Sequence, residues 1–286
     1  MTPSISFALP DEALTARLSV RLDLVEQRLR DVVATSDGLI ERASRHLVDA
    51  GGKRLRPLLT LLAAELGDAA DSPGVIDAAA VVELTHLASL YHDDVMDDAP
   101  VRRGAPAVHE VWGNSVAILA GDLLFAQASR IAAGLGAEVV RVQAETFLRL
   151  CIGQLHETVG PQPGDDAVAH YLSVLADKTA ALIATSARFG AMLSGCSPDV
   201  VETVARFGEK IGLAFQLADD VIDLTSDGSL TGKTPGTDLR EGVPTMPVLL
   251  LRRQAASLAA TAADRALVAL LDGDLSSDAA LARAVA

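Results

Sequence analysis

The sequence predicts an all-α fold, and three observations carry that prediction. Apolar residues recur with helical spacing between Gly- and Pro-marked turns, and no alternating strand pattern competes with them. Half of the 286 residues are hydrophobic but only 3% are aromatic. The apolar bulk is therefore Ala, Leu and Val, which suits closely packed helices better than a β-rich core. The periodicity begins near Asp11 and restarts after Ser36-Asp37-Gly38, Ala50-Gly51-Gly52, Gly67 to Gly74, Gly134 to Gly136, Gly160 to Gly164, Ser194 to Pro198 and Ser226 to Gly236. This gives roughly ten or more helices. The turn-rich stretches are too short to tether separate domains, so one domain over residues 1–286 is expected.

Composition excludes several classes. A formal net charge of −14 leaves no basic excess to neutralise nucleic-acid phosphates. Cys151 and Cys196 lie in apolar helical context and are expected as buried free thiols of a reducing cytoplasm, not as a disulfide framework. No signal sequence and no run of about 18 uninterrupted apolar residues is evident, so no transmembrane segment is expected.

Two long helices end in carboxylates. Ile76 to Asp98 is apolar until Tyr91-His92-Asp93-Asp94-Val95-Met96-Asp97-Asp98, and Val200 to Leu224 is apolar until Asp219-Asp220-Val221-Ile222-Asp223. Asp93 and Asp97 fall one turn apart on one helix face, as do Asp219 and Asp223. Like charges at this spacing repel, and beside Leu90, Val95, Phe215 and Ile222 they call for a compensating cation. Oxygen ligands shared with a phosphate suit magnesium. A solvated acidic helix end is the plain alternative for either cluster taken alone; two copies weigh against it.

The complementary half is basic. Gly51-Gly52-Lys53-Arg54-Leu55-Arg56-Pro57 places three cations at a glycine-led helix start, where free N–H groups and the helix dipole favour an anion such as a diphosphate. Arg102-Arg103-Gly104 follows the first carboxylate cluster in a Pro- and Gly-bounded loop, so metal-bound and arginine-bound phosphates could share one site. Glu83 and His86 have the Glu-x-x-His spacing of diiron helical bundles, but no second such motif accompanies them.

In this order, the motifs resemble the polyprenyl synthetase family, the trans-isoprenyl diphosphate synthases, from about Arg42 to Leu250. The matching elements are Gly-Gly-Lys-Arg-Leu-Arg-Pro at 51–57, His86, Asp93-Asp94-Val95-Met96-Asp97, Arg102-Arg103-Gly104, Gly121-Asp122, Lys178-Thr179, Phe215-Gln216, Asp219-Asp220-Val221-Ile222-Asp223, Gly232-Lys233 and Asp238-Leu239. The resemblance implies an isoprenoid synthase fold, a helix bundle around a central cavity with the two Asp motifs facing each other at its mouth.

It further implies that Asp93, Asp97 and Asp219 hold three Mg2+ ions on an allylic diphosphate, supported by Asp94, Asp220 and Asp223. Arg102, Lys178, Thr179, Gln216 and Lys233 would complete that site, while Lys53, Arg56, His86 and Arg103 would hold isopentenyl diphosphate without metal. The allylic partner would be dimethylallyl, geranyl, farnesyl or geranylgeranyl diphosphate, and the assembly a homodimer. Ser89, one turn before Asp93, and Ala88 beside it resemble the small residues of longer-chain members, which implies a product beyond geranylgeranyl length. A farnesyl or geranylgeranyl diphosphate synthase and a non-catalytic subunit of a heteromeric synthase remain as alternatives; a terpene cyclase would not need Lys53, Arg56 and Arg103. Two departures stand out. Val243 occupies a place where many members carry a lysine, leaving Arg240 as a candidate replacement charge, and the family usually continues past the position of Ala286 through further helix.

Overall fold

A computed structural model describes residues 11–225, 236–240 and 242–285. Among these, fourteen α-helices follow one another: α1 (Glu12–Val33), α2 (Gly38–Asp49), α3 (Leu55–Ala64), α4 (Pro73–Met96), α5 (Val108–Trp112), α6 (Asn114–Leu135), α7 (Ala137–Val159), α8 (Ala167–Leu175), α9 (Ala181–Leu193), α10 (Pro198–Thr225), α11 (Thr237–Arg240), α12 (Met246–Ala255), α13 (Ala262–Leu271) and α14 (Asp278–Val285). A π-helical turn, Ala176–Ala180, joins α8 to α9. The only strands among the described residues are β1 (Val101–Arg102) and β2 (Ala105–Pro106). The all-α expectation holds.

Local chemistry sets the helix starts. The carboxylates of Asp11, Asp37 and Asp166 accept the first backbone N–H groups of α1, α2 and α8. Ser72 with Pro73 starts α4, and Thr261 with Asp264 forms a reciprocal capping box on α13. In the hairpin, Val101 pairs with Pro106 and Arg102 with Ala105. That leaves Arg103 and Gly104 as a two-residue turn, both at positive φ, 55° and 76°. This is the turn geometry whose twist suits a tight hairpin.

The chain forms two compact units. One comprises the described residues up to Leu150 together with Ala181–Glu209, the other Cys151–Ala180 together with the described residues from Lys210 onward. In the first unit α4 is the central helix, packed by α1, α3, α6 and α9. Small residues allow this closeness: a Cβ at Gly190 of α9 would lie 2.0 Å from the Thr60 carbonyl oxygen of α3, and one at Gly121 of α6 would lie 2.5 Å from His92 Nε2 of α4. In the second unit α12 packs on α8 and α13, and α14 on α13.

One sequence expectation needs correction, and one sequence criterion is too narrow. Cys151 is exposed and Cys196 half-buried, so the free thiols are not core residues. Three helical stretches, Pro73–Met96, Asn114–Leu135 and Ala167–Leu193, are long and apolar enough by length and composition to cross a membrane. Counting uninterrupted runs misses them because single charges such as Asp77 and Asp122 break a run without much lowering mean hydropathy. The apolar window of α4 is 67% buried within the fold.

Candidate active site

In the first unit, α4 stops among its carboxylates. The Asp97 N–H donates to the Asp93 carbonyl at 2.8 Å as the helix cap, and Asp98 turns the chain away at φ 50°. A helix C-terminus carries partial negative charge, so Asp93, Asp94, Asp97 and Asp98 gather where anions are least favoured. Such a cluster calls for cations. One is supplied by the hairpin: Arg102 donates through Nε and Nη2 to Asp94 Oδ1, each at 2.6 Å. Asp94 is buried, and its other oxygen has no partner. Asp93 is half-buried and Asp97 exposed, one turn apart as the spacing requires.

Below this cluster lies a dense set of cations. Arg54 caps the start of α3 in the left-handed conformation, φ 47°, and its buried guanidinium bonds Glu26 of α1, Glu83 of α4 at 2.7 Å and the Val48 carbonyl at 2.9 Å. Arg103 leans on the same Glu83 at 3.6 Å and donates to the carbonyls of Leu47, at 3.3 Å, and Gly51. Gly52 lies beneath it at φ 146°, a backbone conformation L side chains rarely adopt, and a Cβ there would meet Arg103 Cζ at 2.8 Å. Arg56 shares this environment with a buried Nε that has no partner.

Loss of water pulls the Arg56 pKa down to about 10, with Glu83 opposing and Arg103 adding to the fall. Burial likewise lowers Arg103, against Glu83. His86 is held well below its ordinary value, first by burial and then by the charges of Arg56 and Arg103. Three guanidinium groups thus face two carboxylates, Glu26 and Glu83, and the surplus charge suits an anion. Lys53 is exposed at the rim of the α3 start. Ala88 is buried against α6, where a Cβ on Gly121 would lie 3.3 Å from its carbonyl oxygen. Ser89 is half-buried, with Oγ donating to the His86 carbonyl at 2.9 Å.

The second unit brings together the other half of the expected residues. Asp219 is exposed on α10, whereas Asp220 is buried and accepts from the Tyr171 hydroxyl at 2.7 Å and the Met246 N–H at 3.2 Å. Asp223 accepts from the Asp238 N–H at 3.2 Å through its side chain and from the Gly236 N–H at 2.8 Å through its carbonyl. Lys178 and Thr179 sit on the π-helical turn, Lys178 paired with Glu157 of α7 and Thr179 Oγ1 donating to Gln216 Oε1 at 3.4 Å. Gly153 lets this turn approach, since a Cβ would meet the Lys178 nitrogen at 2.6 Å. π-Helical turns inside helices recur at functional sites. Arg240 reaches Asp278 at 2.5 Å and Val243 is exposed. Lys233 lies outside the described residues.

Sequence reasoning missed the support under these groups. Glu26, Glu83 and Arg54 form a buried ion network, and Tyr171 fixes Asp220. A charge placed at an apolar helix position, as Glu83 is between Val82 and Leu84, is the one signal that pointed there.

The polyprenyl synthetase pattern matches residues 37–284, most of the chain. The chain belongs to the polyprenyl synthetase family. This polyprenyl synthetase is 45% identical over 277 residues to a nonaprenyl diphosphate synthase of Mycobacterium tuberculosis, covering 97% of its own length and 81% of that protein's. It is 39% identical over 246 residues to a geranylgeranyl diphosphate synthase of Methanosarcina mazei, covering 81% and 76% of the two chains. Among solved structures it resembles a geranylgeranyl pyrophosphate synthase of Corynebacterium glutamicum complexed with calcium and isoprenyl diphosphate, at TM-score 0.86 and 42% identity over 98% of this chain and 83% of that one. The fold is the all-α isoprenoid synthase fold, and the activity is that of a trans-prenyltransferase that moves alkyl groups other than methyl.

Proposed function

We propose that this polyprenyl synthetase condenses isopentenyl diphosphate head-to-tail with an allylic diphosphate, using Mg2+, to a medium- or long-chain product. The observation that carries the reading is the pairing, within one unit, of a carboxylate-ended helix with a pocket whose buried arginines outnumber their counter-charges. Asp93, Asp97 and Asp219 would hold Mg2+; their hard oxygens fit that ion, and Asp97 and Asp219 are exposed enough to reach it. Bound there, Mg2+ neutralises charge on the departing diphosphate.

Asp94, Asp220 and Asp223 orient the motifs through Arg102, Tyr171 and the Asp238 N–H. Lys53, Arg56, Arg103 and a neutral His86 bind isopentenyl diphosphate, while Arg102, Lys178, Thr179, Gln216 and Lys233 bind the allylic diphosphate. Orientation then brings the isopentenyl double bond onto the allylic carbon as its C–O bond breaks. The diphosphate departs with the electron pair of that C–O bond, and the adduct gives up a proton to the departed diphosphate as the new double bond forms.

Ser89, half-buried one turn before Asp93, would leave room for a growing tail, whereas Ala88 is fully buried against α6; Phe125, 5.7 Å from the His92 ring and 4.3 Å from Phe147, would limit the depth. A geranylgeranyl product is the second reading, favoured by the names of the Methanosarcina and Corynebacterium relatives. We read the chain as one catalytic domain over residues 1–286, soluble and cytoplasmic, with α4 in its core. A homodimer is supported by the exposed Ile118 and Leu119 of α6 and Phe147 and Leu148 of α7.

The test is turnover of Asp93→Ala and Asp219→Ala with saturating Mg2+. Each should lose at least about a thousandfold, on the scale of removing transition-state charge stabilisation, with helix content unchanged by circular dichroism. Near-normal turnover in either variant would remove that residue from the site.

A further inference from the structure

We propose that Asp98, His109 and Glu110 form a second metal site, one that takes a single zinc-type cation and staples the base of the β1–β2 hairpin. Nothing in the condensation reaction uses these three side chains. The His109 side chain is only 5% exposed, and neither of its ring nitrogens has a hydrogen-bond partner. A buried imidazole left this way is costly, and most such groups are satisfied. Its Nε2 stands 3.4 Å from Glu110 Oε1 and 3.9 Å from Asp98 Oδ1, and one ligand atom from each residue lies within 4.8 Å of the others.

Those separations are too long for good direct hydrogen bonds, which fall at about 2.7–3.2 Å. They match a shared ion better. With metal–nitrogen and metal–oxygen bonds of about 2.0–2.2 Å, neighbouring ligands around a tetrahedral centre sit about 3.3–3.6 Å apart. The Nε2 to Oε1 gap already has that value, and Asp98, with a side chain 97% exposed, is free to close the rest. A nitrogen donor with two carboxylates selects zinc over magnesium, which prefers an all-oxygen shell. The fourth position would hold water.

The position in the chain says what the site does. Asp98 follows the last turn of α4, His109 lies in α5, and the hairpin carrying Arg102 and Arg103 runs between them, closed at its base by the Ala107 N–H to Pro100 carbonyl bond at 3.0 Å. An ion bound across Asp98 and His109 would add a second closure to the same loop. It would hold the two arginines in register with Asp94 and Glu83.

The experiment uses the full chain, stripped with chelator and returned to excess Mg2+ so that all-oxygen sites are filled. Zn2+ binding is then measured by equilibrium dialysis with elemental analysis, and Co2+ serves as the visible-absorption probe of nitrogen ligation. The expected result is one Zn2+ per chain, with affinity falling roughly tenfold or more in both His109→Gln and Glu110→Gln. Asp93→Ala should bind the same zinc as wild type, which separates this site from the reading of the Asp motifs. Glu110 is half-exposed, so its variant tests the proposal even if His109→Gln does not fold. Absence of zinc above the Mg2+-filled background, wild-type affinity in Glu110→Gln, or loss of the zinc in Asp93→Ala would each overturn it.

Discussion

At the scale of single residues, the basic pocket is a balance between burial and charge, and His86 reports on it. Burial together with Arg56 and Arg103 holds the imidazole pKa well below 6.5 in the folded chain, while the unfolded chain has the ordinary value. Between those two values the unfolded state binds a proton that the folded state refuses. Stability must therefore fall as pH drops through 6.5, and the loss levels off only below the folded pKa. Thermal unfolding of wild type and His86→Gln across this window should show the wild type losing more Tm on acidification. Parallel curves would mean that His86 is not held neutral by its neighbours. The residues proposed to touch substrate stand out in the sequence because they are cations and carboxylates against an Ala- and Leu-rich background. Their supports do not: Arg54 looks like a third phosphate ligand until its bonds to Glu26 and Glu83 are seen, and the way Asp94 plays its supporting part, by holding Arg102, appears only in the structure.

At the scale of elements, close helix approach sets the geometry. Gly→Ala inside a helix ordinarily stabilises by about 0.5–1 kcal/mol, and Gly134, with no atom near its missing Cβ, should behave so. Gly190 should do the opposite. Its Cβ would collide with backbone at 2.0 Å, so α9 must move off α3, at a net cost of about 1–3 kcal/mol. Chemical denaturation of the two variants gives the signs; stabilisation by Gly190→Ala would contradict the close α3–α9 packing.

The tunnel reading belongs to α4. Ser89→Phe should shorten the product distribution while leaving the first condensation intact, because the ring fills space one turn beneath Asp93. An unchanged distribution would place the tail elsewhere. Helix existence was read well from periodicity, including the carboxylate-ended helices, found at Pro73–Met96 and Pro198–Thr225. The hairpin and the π-helical turn were not. Two-residue strands are too short to show alternation, and a π turn changes backbone bonding without changing the apolar pattern.

At the scale of the whole molecule, the ordered set of motifs carried the family where no single motif could. The described positions that carry it fall in two units, each holding one carboxylate cluster with its own cations or hydrogen-bond donors. Product length is the property least legible in the sequence, because it depends on which side chains floor a cavity between helices and not on a motif. The most direct measurement is incubation of the purified chain with isopentenyl diphosphate, Mg2+ and each allylic primer in turn, followed by chromatography of the dephosphorylated products. Elongated prenols extending beyond geranylgeranyl length, formed only with Mg2+ and an allylic primer, are the predicted result; failure to elongate any primer would contradict the proposed condensation, and products that stop at farnesyl would contradict the open tunnel.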